Sequence, residues 1–394
     1  MKYFIITICV LLAGCSAKST NHSKNNEEQS SVVNKKDLTI LNLTTDPNKM
    51  LNLKDIADIE YVPLETNDSI LVRWNPNLIS EQYIIYCNEN GQIITFNRQG
   101  KVIHSFNHKG GGPEEYNYIN NIVLDEKKEE LYIEYAGKIS IYSINGKFKR
   151  RFVLPKKILP ECLTNYDEYY LFCYNSYSLD MPEKYATKEE IKNREKPYFF
   201  ISKQTGEITP FDYSIPNRIG NRMVEVGDNE IAYNEMYIYP ISQNTPDIMI
   251  TEFADDTIYS LKNGKLLPVM VKQPSTHTIN PPMMVGIDLF TDRYIFIYAI
   301  KKVKNEGYNT SDIDYRVYDR QSNEFYSFNT NRLPISIPMK SKLACPRNTA
   351  IQYINAELLC QAYKANRLEG VLKEIASKLK EDDNPVLMLI KFKE

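Results

Sequence analysis

Acidic residues at short spacing are the first places where this sequence could do chemistry. Asp255-Asp256, Asp312 with Asp314, and Glu381-Asp382-Asp383 could each offer oxygens to calcium. A dedicated calcium loop alternates its oxygen ligands and closes on a glutamate, and none of the three does so. They read as solvated loops. A second candidate is FNHKGGGPEEYNY, Phe106 to Tyr118, in which Gly110, Gly111 and Gly112 abut Pro113 and two carboxylates. A phosphate cradle needs Lys and Ser/Thr after its last glycine, to bring an ammonium and a magnesium ion to the phosphates. Pro113 lacks an N–H to donate, and Glu114 and Glu115 would repel a phosphate. The stretch reads instead as the bend between two pieces of a repeated β structure, where glycine admits positive φ. Zinc is not indicated, because no CxxC pair occurs and His22, His104, His108 and His277 are scattered. The chain has no GxSxG elbow, no HExxH and no nucleotide fingerprint. No cofactor is implied. A site assembled from single residues on several repeats would leave no linear motif.

The N-terminus carries chemistry of another kind, at a thiol. Met1-Lys2 is positive and Tyr3 to Leu12 is an apolar run of roughly ten residues, too short to span a bilayer, so residues 1–14 read as a secretion signal. The following Leu12-Ala13-Gly14-Cys15 resembles a bacterial lipobox. That resemblance implies diacylation of Cys15, which becomes the first residue of the mature chain, with acyl chains anchoring it to a membrane. Residues 15–37 continue as SAKSTNHSKNNEEQSSVVNKKD after the cysteine, almost without aliphatics, and are expected to be a flexible tether to the domain at 38–394. In lipoproteins of the Bacteroides type, acidic residues directly after the cysteine accompany export to the cell surface. Ser16-Ala17-Lys18-Ser19 departs from that pattern and Glu27-Glu28 come late. The expectation is an outer-membrane lipoprotein facing the periplasm, with surface exposure as the alternative.

With Cys9 removed and Cys15 acylated, Cys87, Cys162, Cys173, Cys345 and Cys360 remain. An odd number leaves at least one thiol unbonded in a monomer. Cys162 with Cys173 is the candidate disulfide, since a strand pair could bring them together; otherwise all five are small buried hydrophobes.

The 394 residues are 42% hydrophobic and 25% charged, with a net charge of -2 that gives no reason to expect nucleic acid. Tyrosine, at 29 residues, is in excess. Tyr favours pleated, half-buried surfaces, so the excess points to an all-β chain and could also furnish an aromatic binding face. Repeats support the first reading. Glu81 to Phe106 and Glu129 to Phe152 each read as strand, polar turn, strand, Gly-Lys turn and strand, with turns at Gly100-Lys101 and Gly146-Lys147. Looser copies are YYLFCY with YFFISKQTGEITPF, EIAYNEMYIY with DTIYSLKNGKLLPVMV, RYIFIYAI with YRVYDRQSNEFYSF, and ELLCQAY with NPVLMLIKF. Second strands are expected to begin near Tyr83, Leu131, Tyr169, Glu230, Tyr294 and Leu358. Six units of about 58 residues are long for propeller blades and require insertions. Asp180 to Pro197 is expected to be a charged helical excursion, and Leu368, Leu372, Ile375 and Leu379 lie at helical spacing. The last unit lacks a final strand, so LTILNL or IEYVPLE near the N-terminus should close the ring.

The unit from Gly110 to Lys147 resembles an NHL repeat at Gly112-Pro113, Tyr116, Asp125, Tyr132 and Gly146, with Glu134 and Lys138 in place of the customary Asp and Arg. The whole mature chain resembles the six-bladed β-propeller lipoproteins of Bacteroides-type bacteria, through Leu51 to Thr66, KGGGPEEY, Asp255 to Leu261 and Asp383 to Phe392. That resemblance implies a fold and an address: an all-β six-bladed propeller with four-stranded antiparallel blades closed by an N-terminal strand. A monomeric binding or scaffold module for a glycan, a peptide or an envelope protein is the expected function. The alternative is a hydrolase or lyase acting on carbohydrate or peptide from the central channel. Paired carboxylates or histidine in that channel would favour the enzyme, and an apolar, Tyr-lined channel the binding module.

Overall fold

A strand covered on both faces can be apolar throughout, whereas an outermost strand must alternate, and this difference organises the chain. In blade 1, β4 (Tyr83–Cys87) and β5 (Gln92–Asn97) are almost entirely buried, while β6 (Val102–Asn107) alternates between half-buried and exposed. The computed structural model describes residues 38–44, 47–156, 158–175, 186–188, 191, 194–226, 231–235, 239–242, 248–302, 313–327 and 345–394, with backbone only for 222–226 and 231–235. They form a six-bladed β-propeller.

Blades 1 to 3 are four-stranded meanders running from the channel outward. Blade 1 is β3 (Leu78–Ile79) through β6. Blade 2 is β7 (Asn121–Asp125), β8 (Glu130–Tyr135), β9 (Lys138–Ser143) and β10 (Phe148–Val153). Blade 3 is β11 (Cys162–Asn165), β12 (Tyr170–Tyr174), β13 (Tyr198–Ser202) and β14 (Ile208–Pro210). A separate hairpin of β15 (Arg222–Val226) and β16 (Ile231–Glu235) precedes blade 4, which is β17 (Ile241–Ser242), β18 (Ile248–Ile250), β19 (Thr257–Lys262) and β20 (Lys265–Gln273). Blade 5 is β21 (Met283–Phe290), β22 (Tyr294–Lys301), β23 (Ile313–Asp319) and β24 (Glu324–Ser327). Blade 6 combines β25 (Thr349–Ile354) and β26 (Val386–Phe392) with β2 (Ala57–Pro63) from the N-terminal region.

Both N-terminal stretches singled out in the sequence are used, for different purposes. Within IEYVPLE, Ile59 pairs with Ile390 and Val62 with Leu387, which closes the ring. Within LTILNL, β1 (Thr39–Asn42) adds to the outer edge of blade 4 as a parallel fifth strand, Leu41 opposite Lys272. Between them the chain crosses the edge of blade 5, where Ser327 N–H donates to Lys49 O (2.8 Å) and Leu51 N–H to Ser327 O (3.2 Å).

Six hydrophobic clusters fill the six interfaces between neighbouring blades. Ile93, Leu131 and Tyr142 join blades 1 and 2, and Val123, Leu163 and Cys173 join blades 2 and 3. The ring is completed by Val62, Ile84, Tyr86, Ile351 and Leu387 between blades 6 and 1. Three of these interfaces share a device at the third-to-fourth-strand hairpin. Gly100, Gly146 and Gly206 have φ of +79°, +91° and +75°, and each backbone lies against the end of the previous blade's outermost strand, at Pro63, Phe106 and Phe152. A Cβ there would meet the phenyl ring at 2.5 Å in the latter two cases, so glycine is needed for both conformation and clearance. β2 meets Gly100 as β6 meets Gly146, which identifies β2 as the outermost strand of blade 6 and β25 as its second.

Two sequence assignments are corrected. EIAYNEMYIY does not open blade 4: among the described residues its Ile231–Glu235 pairs only with Arg222–Val226, and the second strand of blade 4 begins at Ile248. ELLCQAY is not a strand but lies in helix α2 (Ala356–Lys364), the earlier helix α1 being Leu53–Ile56; Ala356, Leu359 and Cys360 are buried at helical spacing, and the second strand of blade 6 begins at Thr349. The short helix expected around Leu372 is present as α3 (Gly370–Ala376), packing Leu368, Leu372, Ile375 and Leu379 against Leu359 and Val386. The excursion expected over Asp180 to Pro197 lies largely outside the described residues. Among the described residues no helix is long and apolar enough to cross a membrane.

Candidate functional site

Among the described residues the innermost strands β3, β7 and β11 each hydrogen-bond to one neighbouring strand only, which leaves their other edge toward the channel. The turns that follow them, Ser80-Glu81, Glu126 and Asn165 to Asp167, surround a cavity of about 810 Å³ at one end of that channel. Its wall is apolar, with Leu78, Ile79, Ile122, Leu124, Leu163 and Ile248, and it is completed by Tyr166, Tyr170 and Phe200, by Lys262 to Gly264, and by Cys345-Pro346.

Local hydrogen bonds set this rim. Glu126 accepts from Ser80 Oγ (2.6 Å) and from the Gln82 N–H (2.9 Å), joining the turns of blades 1 and 2, while Arg98 donates to Ser80 O (3.0 Å). Asp167 Oδ1 accepts from the Tyr169 and Tyr170 N–H groups, both at 2.7 Å, which fixes the next turn. Tyr166 packs on Phe200 with ring centroids 4.9 Å apart, and its hydroxyl accepts from the Gly264 N–H at 2.5 Å, tying blade 3 to blade 4. Tyr170 stands 5.9 Å from Phe200 and is 39% exposed. Burial pushes the Cys345 thiol up to about 12, so it stays protonated at neutral pH and is a poor nucleophile. No histidine lines the cavity among the described residues, and no hydrogen bond joins Glu81, Glu126 and Asp167 to one another. The arrangement can hold a ligand against an aromatic wall. Among the described residues its carboxylates form no pair with one another.

The residues singled out from sequence lie elsewhere. Cys15 is outside the described residues. Gly110 to Glu115 forms the linker from β6 to β7, as expected, and so sits at the opposite end of β7 from Glu126. Its glycines have no positive φ. At Gly110 a Cβ would run into the Glu115 carboxylate, which accepts from the Gly112 N–H at 2.7 Å, whereas Gly111 has open space at its Cβ. Tyr116 then buries its ring and donates to Gly91 O (2.6 Å), pinning the loop. Asp255 accepts from Tyr213 Oη (2.8 Å) and the Thr257 N–H, and Asp256 from the Thr276 N–H (2.9 Å). Asp314 pairs with Arg316 while Asp312 is outside the described residues, and Glu381 pairs with Lys364 at 2.6 Å. Among the described residues no group of acidic, His and Cys side chains could hold a metal. His108 Nε2 bonds Gly146 O and its ring stacks on Tyr142, and His277 Nε2 bonds Ala254 O, each at 2.8 Å. The expected Cys162–Cys173 disulfide is absent. Cys162 lies opposite Tyr174 and Cys173 opposite Leu163, so the two thiols point to opposite faces of the sheet, into different interblade clusters.

Strong electrostatics also occurs away from the cavity. Within blade 2, Glu130 takes a bidentate Arg150 (3.0 Å twice), Tyr132 Oη (2.8 Å) and Lys149 Nζ (3.1 Å). Burial pushes its carboxyl up, but these donors outweigh burial and hold it at about 2. Lys203, 2% exposed, donates to Asp125 (2.6 Å) across the seam between blades 2 and 3. Lys272 on β20 is buried and donates to Glu252 O (2.8 Å); burial lowers its ammonium to about 8. Of these contacts, Lys203 to Asp125 and Arg150 to Lys203 O (2.9 Å) join blades 2 and 3, whereas the Glu130 cluster lies within blade 2 and the Lys272 bond within blade 4.

The whole fold is similar to solved structures of other proteins. A protein of Bacteroides fragilis described as exported aligns at 0.61, with 16% identity over 90% of this chain and 100% of its own. A streptogramin B lyase (0.40; 10% identity; 87% and 100% covered) and the virginiamycin B lyase of Staphylococcus aureus (0.39; 12%; 84% and 99%) are more distant. At these identities the likeness concerns the fold alone. No curated protein matches in sequence. The model of one family, the domain of unknown function DUF4934, matches residues 38–391, and the chain belongs to that family.

Proposed function

We propose that this chain is a lipid-anchored binding module: a monomeric propeller, acylated at Cys15 and tethered by residues 15–37 to the outer membrane on its periplasmic side, that holds a glycan, a peptide or a segment of an envelope protein at the mouth of its channel. The cavity of about 810 Å³, with an apolar and aromatic wall and a rim of single polar residues, carries this reading. Its carboxylates are spent on turns or stand apart, which favours binding over the hydrolase or lyase alternative. Blade 2 is read as an NHL-like repeat in which Asp125 and Gly146 serve blade docking.

A thermal-shift screen of the chain from Asn34 onward against oligosaccharides, short peptides, calcium, zinc and EDTA tests the binding role. A ligand at a hundred times its Kd adds about 2.7 kcal/mol of stability. A shift with a sugar or peptide that disappears in Tyr166→Ala, Tyr170→Ala supports the cavity. A shift that survives those changes places binding elsewhere. The anchor is tested by palmitate labelling of cells, which should be lost in Cys15→Ser.

A further inference from the structure

The cavity is asymmetric in charge. Among the described residues its lining holds three carboxylates, Glu81, Glu126 and Asp167, against one ammonium, Lys262. None of the three carboxylates forms an ion pair with a described residue. Nearby cations bond other atoms: Arg98 to Ser80 O, Lys128 to Glu168 O at 2.5 Å, and Lys203 to Asp125 and the Asp167 carbonyl, both at 2.6 Å, from where its ammonium also attracts the Asp167 carboxylate. The hydrogen bonds that Glu126 and Asp167 accept fix their turns without cancelling their charge. Glu126 is half-buried beside the apolar wall, where charge is less screened than in open water, while Glu81 and Asp167 are exposed at the rim.

Two further features point the same way. Tyr166, Tyr170 and Phe200 form one aromatic cluster at the cavity, and aromatic rings attract ammonium and guanidinium groups. The channel-facing edges of β3, β7 and β11 also offer unpaired backbone groups of the kind an extended peptide uses. A phosphate or carboxylate ligand would meet net repulsion, and a neutral sugar would gain nothing from the charge.

We infer that the ligand of this cavity is a short peptide segment presenting a lysine or arginine side chain, seated with its cation between the Glu81, Glu126 and Asp167 carboxylates and its stem along Tyr166, Tyr170 and Phe200. This rests on the binding reading above and narrows it from three ligand classes to one.

The test uses the full-length chain in detergent and calorimetric titration with an acetylated, amidated lysine-containing tetrapeptide. Its norleucine and glutamate analogues and a neutral tetrasaccharide are titrated in parallel. The lysine peptide should bind, weakening about fivefold for each of Glu81→Gln and Asp167→Asn and weakening with added salt. Glu81 is exposed, which makes Glu81→Gln safe for folding; an unchanged melting temperature confirms that for both variants. If the norleucine peptide or the tetrasaccharide binds as well as the lysine peptide, the charge inference falls while the cavity remains a binding site. If no probe binds, the inference and the cavity reading fall together.

Discussion

Glu130 offers a quantitative test of what holds the outer strand of blade 2 to its inner strands. Its carboxylate is 8% exposed and receives four hydrogen bonds, two of them from one guanidinium. Moving a carboxyl from 4.5 in the unfolded chain to about 2 in the fold favours folding of the ionised form by on the order of 3 kcal/mol. Arg150 and Lys149 are 33% and 36% exposed, so solvent screens part of this, and about 2 kcal/mol is the expected pH-dependent share. Because the folded pKa is depressed, that share is fully present above about pH 4.5 and vanishes as pH falls through 2. The assay is urea unfolding of the wild type and Glu130→Gln at pH 7, 5, 4, 3 and 2.5. The difference between the two removes the titration of every other carboxylate. It should hold steady from pH 7 to 5 and then shrink by about 2 kcal/mol toward pH 2.5. A difference that stays flat below pH 5, or widens, would refute the assignment of this cluster as a charge-stabilised tie within blade 2.

Four other outcomes are expected. Arg150→Met leaves the buried Glu130 charge with Tyr132 and Lys149 alone and should cost about 3 to 5 kcal/mol in the same unfolding assay at pH 7. Gly146→Ala and Gly206→Ala should each destabilise more than Gly264→Ala, which shares a positive φ but has open space at its Cβ; the control should lose only about 1 kcal/mol by thermal melting. Leu41→Ala empties a fully buried site between β1 and the blade 4–5 interface and should cost about 2 to 5 kcal/mol by urea titration. Lys272 has a lowered folded pKa, so the wild type should gain stability as pH rises from about 8 to 10.5. Lys272→Met should lack that gain, and equal slopes for the two proteins would count against the burial argument.

The sequence made the middle of the fold legible and left its inner edge obscure. Tyr83–Cys87 with Gln92–Asn97, and Glu130–Tyr135 with Lys138–Ser143, are long apolar runs around glycine turns, because strands sandwiched between blades need no polar face. The innermost strands of blades 1 and 4 are too short to show a period: β3 and β17 have two residues each. That is why the start of blade 4 was displaced onto Ile231–Glu235, a better apolar alternation that pairs elsewhere. Glu357 to Tyr363 misled for another reason, since an apolar run of this length does not separate a strand from a buried helix. The cavity was invisible for a third. Glu81, Glu126 and Asp167 come from three blades, and each is an unremarkable acidic turn residue until the ring brings the turns together. Rim residues directly after each inner strand were the available signal, and it depended on locating those strands first.

Ring closure by Ala57–Pro63 and Val386–Phe392 also dictates an order of assembly. β2 leaves the ribosome among the first elements and its partner β26 among the last, so blade 6 cannot form until nearly the whole chain is available. Blades 1 to 3, built from neighbouring hairpins, can collapse early, while β2 waits as an unpaired apolar strand whose edge is prone to wrong pairing. Completion is therefore a late, long-range event. A chain stalled or clipped before Val386 would retain most of its secondary structure yet remain an open arc, with the Val62, Ile84 and Tyr86 face exposed to chaperones, proteases or another copy of itself.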